Sequence, residues 1–306
     1  METKWLEDFV SLAETRSFSR SAQLRHVTQP AFSRRIQSLE AWAGTDLVDR
    51  SSYPTRLTLA GQMLYEQALD LLHTLHSTRS MLRAHSSAAH DMIEFAVPHT
   101  LAFTFFPSWL SGLREVCGPI KSRLNALNVH DAVMRLVEGS CDLLIAYHHT
   151  AQPIQLDADR YEMLPLGRES LAPYARPNDH GQALFALPGS ASQPVPYLAY
   201  APGAYLGRVV DQVVKQSSTP LHLDRMYETD MAEGLKAMAV EGHGLAFLPL
   251  SAVRQDLRLK KLVPAGTGFD TALDIRIYRE RSPVRKRKGT VDKFWTDLQR
   301  HLQAHS

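Results

Sequence analysis

From Thr3 to Thr15 the apolar residues Trp5, Leu6, Phe9, Val10, Leu12 and Ala13 recur close to helical spacing, which predicts a helix with one apolar face. Ser17 or Ser19 can cap a second, short helix, in which Ala22 is small where two helices would cross. A tight break falls at His26-Val27. Thr28 then reads as the N-cap of a third helix, with Pro30 near its first turn, where a missing N–H costs nothing. Along that helix Phe32, Ile36, Leu39 and Trp42 (or Ala43) form a stripe to be buried. Gln29, Ser33, Arg34 and Gln37 are left on other faces, and Gly44 stops the helix. From Leu47-Val48-Asp49-Arg50 to Leu57-Thr58 two short extended pieces flank Ser52-Tyr53-Pro54, the pattern of a wing.

The next segment carries a different period. Leu64, Ala68, Leu71, Leu75, Thr78 and Leu82 alternate steps of four and three, a seam along which two helices pack. A single amphipathic helix lying on its own domain would show much the same pattern. Ser86-Ser87-Ala88-Ala89 ends the seam as a hinge.

Beyond Met92 strands alternate with helices. Ile93–Val97, Arg123–Val129, Cys141–Tyr147, Leu221–Leu223 and Ala272–Tyr278 read as strands. Phe105–Val116, Asp131–Glu138, Asp230–Val240 and Val291–Leu302 read as helices, and residues 242–249 as a turn into a buried strand. That alternation predicts βαβ units around a parallel sheet. Between Pro165 and Gly207 prolines and glycines cluster and the periodicity is weak.

Length and composition alter this picture little. At 306 residues two domains are expected rather than one, and 44% hydrophobic with 22% charged residues is ordinary for a soluble globular chain. A formal net charge of +2 gives no global basic field. The local distribution is sharper: Arg16, Arg20, Arg25, Arg34 and Arg35 fall in one stretch that holds no acid. Such a patch supplies the phosphate-neutralising part of DNA affinity, although charge alone would describe a solvated helical face equally well. Two cysteines, Cys117 and Cys141, in no metal-binding spacing, argue against a secreted disulfide scaffold. No apolar stretch approaches ~20 residues, so a cytoplasmic chain without a membrane span is expected.

Arginine and glutamine near the start of a helix can form bidentate bonds to guanine and adenine edges when that helix lies in the major groove. The expected DNA-binding residues are Thr28, Gln29, Pro30, Ser33, Arg34 and Arg35 on the third helix, with Arg50 and Arg56 of the wing on phosphate or in the minor groove.

The same residues carry a family resemblance. Ser21-Ala22, then Thr28-Gln29-Pro30-Ala31, then Ser33, Ile36, Leu39 and Glu40, then Gly44 with Leu47-Val48-Asp49-Arg50, then Leu57-Thr58 with Gly61, resemble the DNA-binding signature of LysR-type transcriptional regulators. Val48 replaces the usual Phe. Arg25 stands where Leu is usual, with Leu24 the candidate for that core site. Gly139-Ser140-Cys141-Asp142-Leu143-Leu144-Ile145 and Gly242-x-Gly244-x-x-x-Leu248-Pro249 resemble elements of that family's effector domain. The resemblance implies a winged helix-turn-helix over residues 1–58, a linker and dimerisation helix with hinge over 59–89, and a two-lobed α/β domain like periplasmic solute-binding proteins over 90–306. Lobe I would take about 90–162 and 268–306, lobe II about 163–267. It further implies a homodimer or homotetramer joined through Leu64, Leu71, Leu75 and Leu82, an operator in double-stranded DNA, RNA polymerase as a partner, and a small effector or oxidant as signal. No enzymatic activity, cofactor or metal is expected.

Ligands of open α/β sheets sit beyond the C-terminal ends of strands, often at helix N-termini. That rule marks His99, Thr100, Asn128, Tyr147 and His148 from one lobe, and Tyr200, Tyr205, Met231 and Phe247 from the other, as effector contacts. The pair His148-His149 lacks metal-site spacing and acidic company. A finer resemblance, to the hypochlorite-responsive subgroup of LysR-type regulators, rests on METKWLEDF, the run Gln29 to Arg35, Tyr205-Leu206-Gly207-Arg208 and Phe294-Trp295-x-Asp297-Leu298. It implies methionine oxidation as a trigger and points to Met226, Met231 and Met238, which core packing would explain as readily. The basic run Arg285-Lys286-Arg287-Lys288, with Arg279 and Arg281, reads as a solvated loop. The competing readings are a solute-binding or enzymatic α/β domain with an accessory DNA-binding segment, and a non-specific DNA-compacting protein.

Overall fold

The computed structural model describes residues 2–52, 54–83, 92–281 and 289–304. The chain begins with α1 (Thr3–Thr15), α2 (Phe18–Leu24) and α3 (Gln29–Ala43). Ser17 caps α2 by accepting the Arg20 N–H at 3.4 Å. Thr28 has the extended backbone of an N-cap, but its hydroxyl makes no capping bond. Gly44 ends α3 in the left-handed conformation that glycine adopts freely. Leu6, Phe9, Val10, Leu12, Ala22, Phe32, Ile36 and Leu39 form the buried centre. Trp42 is 55% exposed, so Ala43 rather than Trp42 continues the stripe. Strands β1 (Val48–Asp49) and β2 (Arg56–Leu57) pair antiparallel as the wing; Tyr53 lies outside the described residues.

Helix α4 (Leu59–Arg83) leaves the wing through a closely packed corner. Thr58 Oγ1 accepts the Gly61 N–H at 3.0 Å and donates to the Asp46 carbonyl at 2.8 Å. A Cβ on Gly61 would stand 2.0 Å from the Leu47 carbonyl oxygen, so the Leu-Thr-x-x-Gly run has a steric reason. The seam divides differently from its sequence pattern. Ala68, together with Leu69 and Leu72, is buried, and Leu64 packs partly on the same cluster. Met63 and, on the same stripe as Leu64 and Ala68, Leu71 and Leu75 are exposed. The Leu82 side chain and the hinge Ser86–Ala89 lie outside the described residues.

The larger domain holds β3 (Ile93–Pro98), α5 (His99–Thr104), α6 (Phe106–Gly112), α7 (Arg114–Cys117), β4 (Ser122–Leu127), α8 (Val129–Val137), β5 (Leu143–His148), β6 (Tyr161–Ala175), β7 (Val195–Tyr200), α9 (Tyr205–Gln216), β8 (Leu223–Thr229), α10 (Ala232–Val240), β9 (Leu245–Pro249), α11 (Leu250–Arg258), β10 (Val263–Pro264), β11 (Thr271–Glu280) and α12 (Gly289–Ala304). The sheet runs β4-β3-β5-β11-β6-β9-β7-β8, with β10 beside β6. β3, β4 and β5 are parallel, as are β7, β8 and β9, while β6 and β11 are antiparallel to their neighbours. Two parallel groups are therefore joined by two long antiparallel strands, the layout of a two-lobed domain. β11 pairs with β5 in one lobe, and the end of β6, from Leu171, pairs with β9 in the other.

Several elements depart from expectation. The single helix expected at Phe105–Val116 is broken into α6 and α7 and preceded by α5; Pro107 has no N–H to continue α5. β6, β7, α9 and α11 lie where no element was expected, and the strand expected at Leu221–Leu223 runs instead from Leu223 to Thr229. The family-like motifs have local causes. Asp142 Oδ2 accepts the Glu94 N–H at 2.8 Å and so pins the entry of β5 to β3. Gly242 has φ 85°, and a Cβ on Gly244 would stand 2.7 Å from the Pro196 carbonyl oxygen. No helix among the described residues is long and apolar enough to cross a membrane.

Candidate nucleic-acid interface and interlobe cleft

The face of α3 opposite Phe32, Ile36 and Leu39 carries Pro30, Arg34 and Gln37, all exposed, with Thr28 and Gln29 exposed at its head and Ser33 half-buried. The Arg34 and Arg56 guanidinium groups are exposed and form no ion pair among the described residues. Five residues expected to act as a set, Thr28, Gln29, Pro30, Arg34 and Arg56, thus stand on accessible surface.

Other arginines of the basic stretch are spent inside the domain. Asp8 of α1 is fully buried. Its Oδ1 accepts Arg25 Nε at 2.8 Å and its Oδ2 accepts Arg35 Nη1 at 3.0 Å. Arg25 also binds Glu7; burial works against its charge, but the Asp8 and Glu7 bonds outweigh it and raise its pKa. One carboxylate therefore ties α1 to the turn after α2 and to α3. This accounts for Arg25 where the family has Leu, and Leu24, half-buried, does not take over a core site. Arg35 is paired with Asp8, a contact its position in the sequence did not disclose. Glu40 does the same for the wing. Its Oε1 accepts the N–H groups of Leu47 and Val48 at 3.1 and 3.2 Å, and its Oε2 accepts Arg50 Nη2 at 2.6 Å. Arg50 keeps 44% of its side chain exposed beyond that pair.

In the two-lobed domain, Thr100, Tyr147, Tyr200 and Tyr205 are buried where the lobes meet. Thr100 donates to Glu233 Oε2 of α10 at 3.5 Å, and Ser251 of α11 donates to Thr104 Oγ1 at 3.0 Å. Tyr205 donates to the Gln152 carbonyl at 2.9 Å, and Arg208 Nε to Gln152 Oε1 at 3.2 Å. Glu169 of β6 is buried and accepts the Ser251 N–H. The Tyr200 hydroxyl and Glu233 Oε1 are buried without a hydrogen-bond partner, while the buried Tyr147 hydroxyl lies beside those of Ser251 and Thr104. Burial, chiefly, pushes both phenols well above their ordinary range.

The remaining expected contacts are placed less favourably. His99 begins α5 and is half-buried. Asn128 uses its side chain to cap α8, accepting the Asp131 N–H at 2.9 Å. His148 Nδ1 is buried without a partner, and burial lowers its pKa, with Arg276 adding to the effect. Met231 is exposed at the N-cap of α10. Phe247 has no exposed surface and packs edge-to-face on Tyr197, so it is core rather than cleft wall. Sequence reasoning missed Glu233, Glu169, Thr104, Ser251 and Gln152; only Glu233, one turn into a helix whose start was expected to face ligand, had a signal.

Met226 is exposed on β8, and Met238 packs partly on the core. Cys117 is half-buried and Cys141 buried, and burial pushes both thiols up. Arg279 binds Glu162 and Asp292 and stacks over Trp295, 4.6 Å from the ring centre, which fixes α12 to β6 and β11. Arg281 donates to the Ala158 carbonyl, while the run 285–288 lies outside the described residues. Among the described residues, no group of three or more His, Cys, Asp or Glu is placed to hold a metal ion.

Residues 3–62 match the bacterial regulatory helix-turn-helix of the lysR family, and residues 87–303 match the LysR substrate binding domain. Over 298 residues, 97% of this chain and 94% of the relative, the sequence is 33% identical to the HTH-type transcriptional regulator YjiE of Escherichia coli (strain K12). The full-length structure of HypT from Salmonella typhimurium, described as a hypochlorite-specific LysR-type regulator, is 30% identical. It covers 100% of this chain and 99% of its own, with a TM-score of 0.60. The Vibrio fischeri DarR structure in complex with DNA is 29% identical, with 97% and 98% coverage and a TM-score of 0.58.

Proposed function

The chain belongs to the LysR family of bacterial transcriptional regulators, with a DNA-binding helix-turn-helix and an effector-binding domain, and from that premise we propose how its residues divide the work. Helix α3 enters the major groove of an operator, with Thr28, Gln29, Pro30, Ser33 and Arg34 at base edges. Arg56 lies on phosphate. Arg50, aligned by Glu40, reaches the backbone or minor groove, and Arg35 holds the helix at its angle. The observation that carries this reading is the α3 face itself: Gln29 and Arg34 are exposed, and Arg34 is free of ion pairs among the described residues.

The units are residues 1–58 for reading, 59–89 for linking and 90–306 for sensing. The exposed Leu71 and Leu75 of the α4 seam, with Leu64 and Leu82, pair with a second copy, so that two readers address two half-sites; a tetramer would double that arrangement. The effector sits between the lobes, and RNA polymerase is the downstream partner in the cytoplasm. An oxidant is the second class of signal. The likeness to HypT supports it, and so does the exposure of Met226 and Met231.

The test is a gel-shift titration on the regulator's own operator at fixed salt. Arg34→Ala and Gln29→Ala should each cost about 1–3 kcal/mol on the specific site and little on unrelated DNA. Unchanged affinity and specificity in both variants would dismiss α3 as the base reader.

A further inference from the structure

The reading domain and the lobes pack together. Asp70 of α4 stands 4.0 Å from Arg160, and one apolar cluster runs from Phe9 and Leu72 to Met134 and Leu144. Where they meet they leave a cavity of about 810 Å³. That lies within the range of about 300–1,000 Å³ typical of small-ligand sites. Its wall comes from three places. Lobe I supplies Asn128 and Gln152, and lobe II supplies Ala204, Tyr205 and Arg208. The reading domain supplies Arg16 and Arg20 at the start of α2 and His26 after its end. The mouth of the interlobe cleft, beyond the ends of β4, β7 and β8, is therefore roofed by the first helix of the helix-turn-helix.

The charges of this wall do not cancel. Arg16 and Arg20 are exposed and form no ion pair among the described residues. Arg208 donates Nε to Gln152 Oε1 at 3.2 Å and Nη1 to the Gly203 carbonyl, neutral partners that leave its charge unanswered. Burial, and after it the Arg20 guanidinium, push Arg208 down to about 10. His130, also in the wall, is pushed down to about 4 by burial and then by Arg20, Arg25 and Arg208. Two carboxylates share the wall: Glu14 accepts the Tyr65 hydroxyl, and Asp230 is exposed. The N-terminus of α9 opens on the cavity through Ala204 and Tyr205. Its first turn holds no acid and no side chain caps it, so the positive end of its dipole adds to the same sign.

Two guanidinium groups from two domains thus front one cavity with no counter-ion of their own. A cationic ligand would add to their repulsion. A monoanion would answer one of them. An anion with acceptor oxygens for both forms charge-assisted hydrogen bonds on each side. Resting on the reading of the cleft as the effector site, we propose that the effector is a dianion, a dicarboxylate or a phosphate ester, held between Arg208 of lobe II and Arg20 of the reading domain, so that the helix-turn-helix is itself one wall of the effector site.

The experiment uses the full-length protein at one ionic strength, in thermal-shift and calorimetric titrations. The dianionic probes are malonate, succinate, glutarate and phenyl phosphate; acetate is the monoanion and putrescine the dication. At least one dianion should raise the melting temperature further than acetate does, and putrescine should not raise it. The tighter of the carboxylate and phosphate probes assigns the end group. Arg20→Ala and Arg208→Ala should each weaken that dianion about tenfold or more, and Arg20→Lys should restore part of the loss. Without any probe, Arg20→Ala should melt no lower than the parent, because Arg20 has no ion pair to lose, so the test stands even where Arg208→Ala folds poorly. A dianion that Arg208→Ala weakens and Arg20→Ala leaves unchanged would overturn the bridge and keep the cleft as the effector site. Stabilisation by putrescine that both alanine substitutions strengthen would overturn the anionic assignment and likewise keep the cleft. Binding of no probe, or binding indifferent to both substitutions, would overturn the assignment and the cleft reading together.

Discussion

Asp8 shows how much a single side chain decides in the reading domain. A carboxylate with no exposed surface is tolerable because two guanidinium groups meet it from two directions. Asp8→Ala removes the common partner and should lower the stability of the domain by about 3 kcal/mol, read from chemical denaturation. Arg35→Ala should also destabilise but leave the ratio of specific to non-specific DNA affinity unchanged. A large fall in that ratio would return Arg35 to the base-reading set. The sequence shows Arg25 and Arg35 as basic residues in a basic run, and Arg50 as a basic residue of the wing. It does not show that Asp8 and Glu40, remote along the chain, neutralise them, so the legible charge patch was larger than the free one. Arg34 was legible because helical periodicity alone puts it opposite the apolar stripe, and Gln29 because it opens the helix. In the cleft, Thr100, Tyr147 and Tyr200 were legible from their places at strand ends, whereas Glu169 and Ser251 meet only through the fold.

At the level of elements, the helices of the first domain were readable to within a residue or two, since each has a stop or cap signal and one apolar face. α4 was readable as a helix but not in its faces. Its period describes one seam, and only packing separates the buried Ala68, with Leu72 beside it, from the exposed Leu71 and Leu75. Replacing both Leu71 and Leu75 with Asp should turn a dimer into monomers in sedimentation velocity while the far-ultraviolet dichroism stays that of the parent. A dimer that survives both changes would place the joint elsewhere. β6 escaped notice because Pro165 and Gly167 interrupt it. They flank the point at which its register with β11 shifts, between Ile275 and Arg276, where a strand accepts such residues. α9 escaped because Ala204, at its N-cap position, offers no capping side chain.

For the whole molecule, the two-lobed class followed from the alternation of strands and helices, but the bonds that hold the lobes against each other did not. Tyr205 to Gln152, Arg208 to Gln152, Ser251 to Thr104 and Thr100 to Glu233 all cross the seam. Each neutral member should contribute about 0.5–1.5 kcal/mol to closure. The double variant Tyr205→Phe with Ser251→Ala should therefore speed amide exchange in β5, β7 and α10 relative to α12 and the outer strand β4. Equal exchange everywhere would mean that these bonds do not set the closure.

The crossing of β6 and β11 has a mechanical consequence. These two strands are paired along their length and clasped at one end by Arg160 with Glu280 and by Arg279 with Glu162. A ribbon so fastened resists stretching and sliding, because either would break its whole ladder at once, yet it bends and twists cheaply at an irregular register. The lobes are then left with little freedom beyond a rotation about that ribbon. Whatever occupies the seam is reported to the rest of the molecule as an angle and not as a distance. A rigid α4 at the other end of the chain is suited to carry an angle, since a small turn at one end becomes a large displacement at the other.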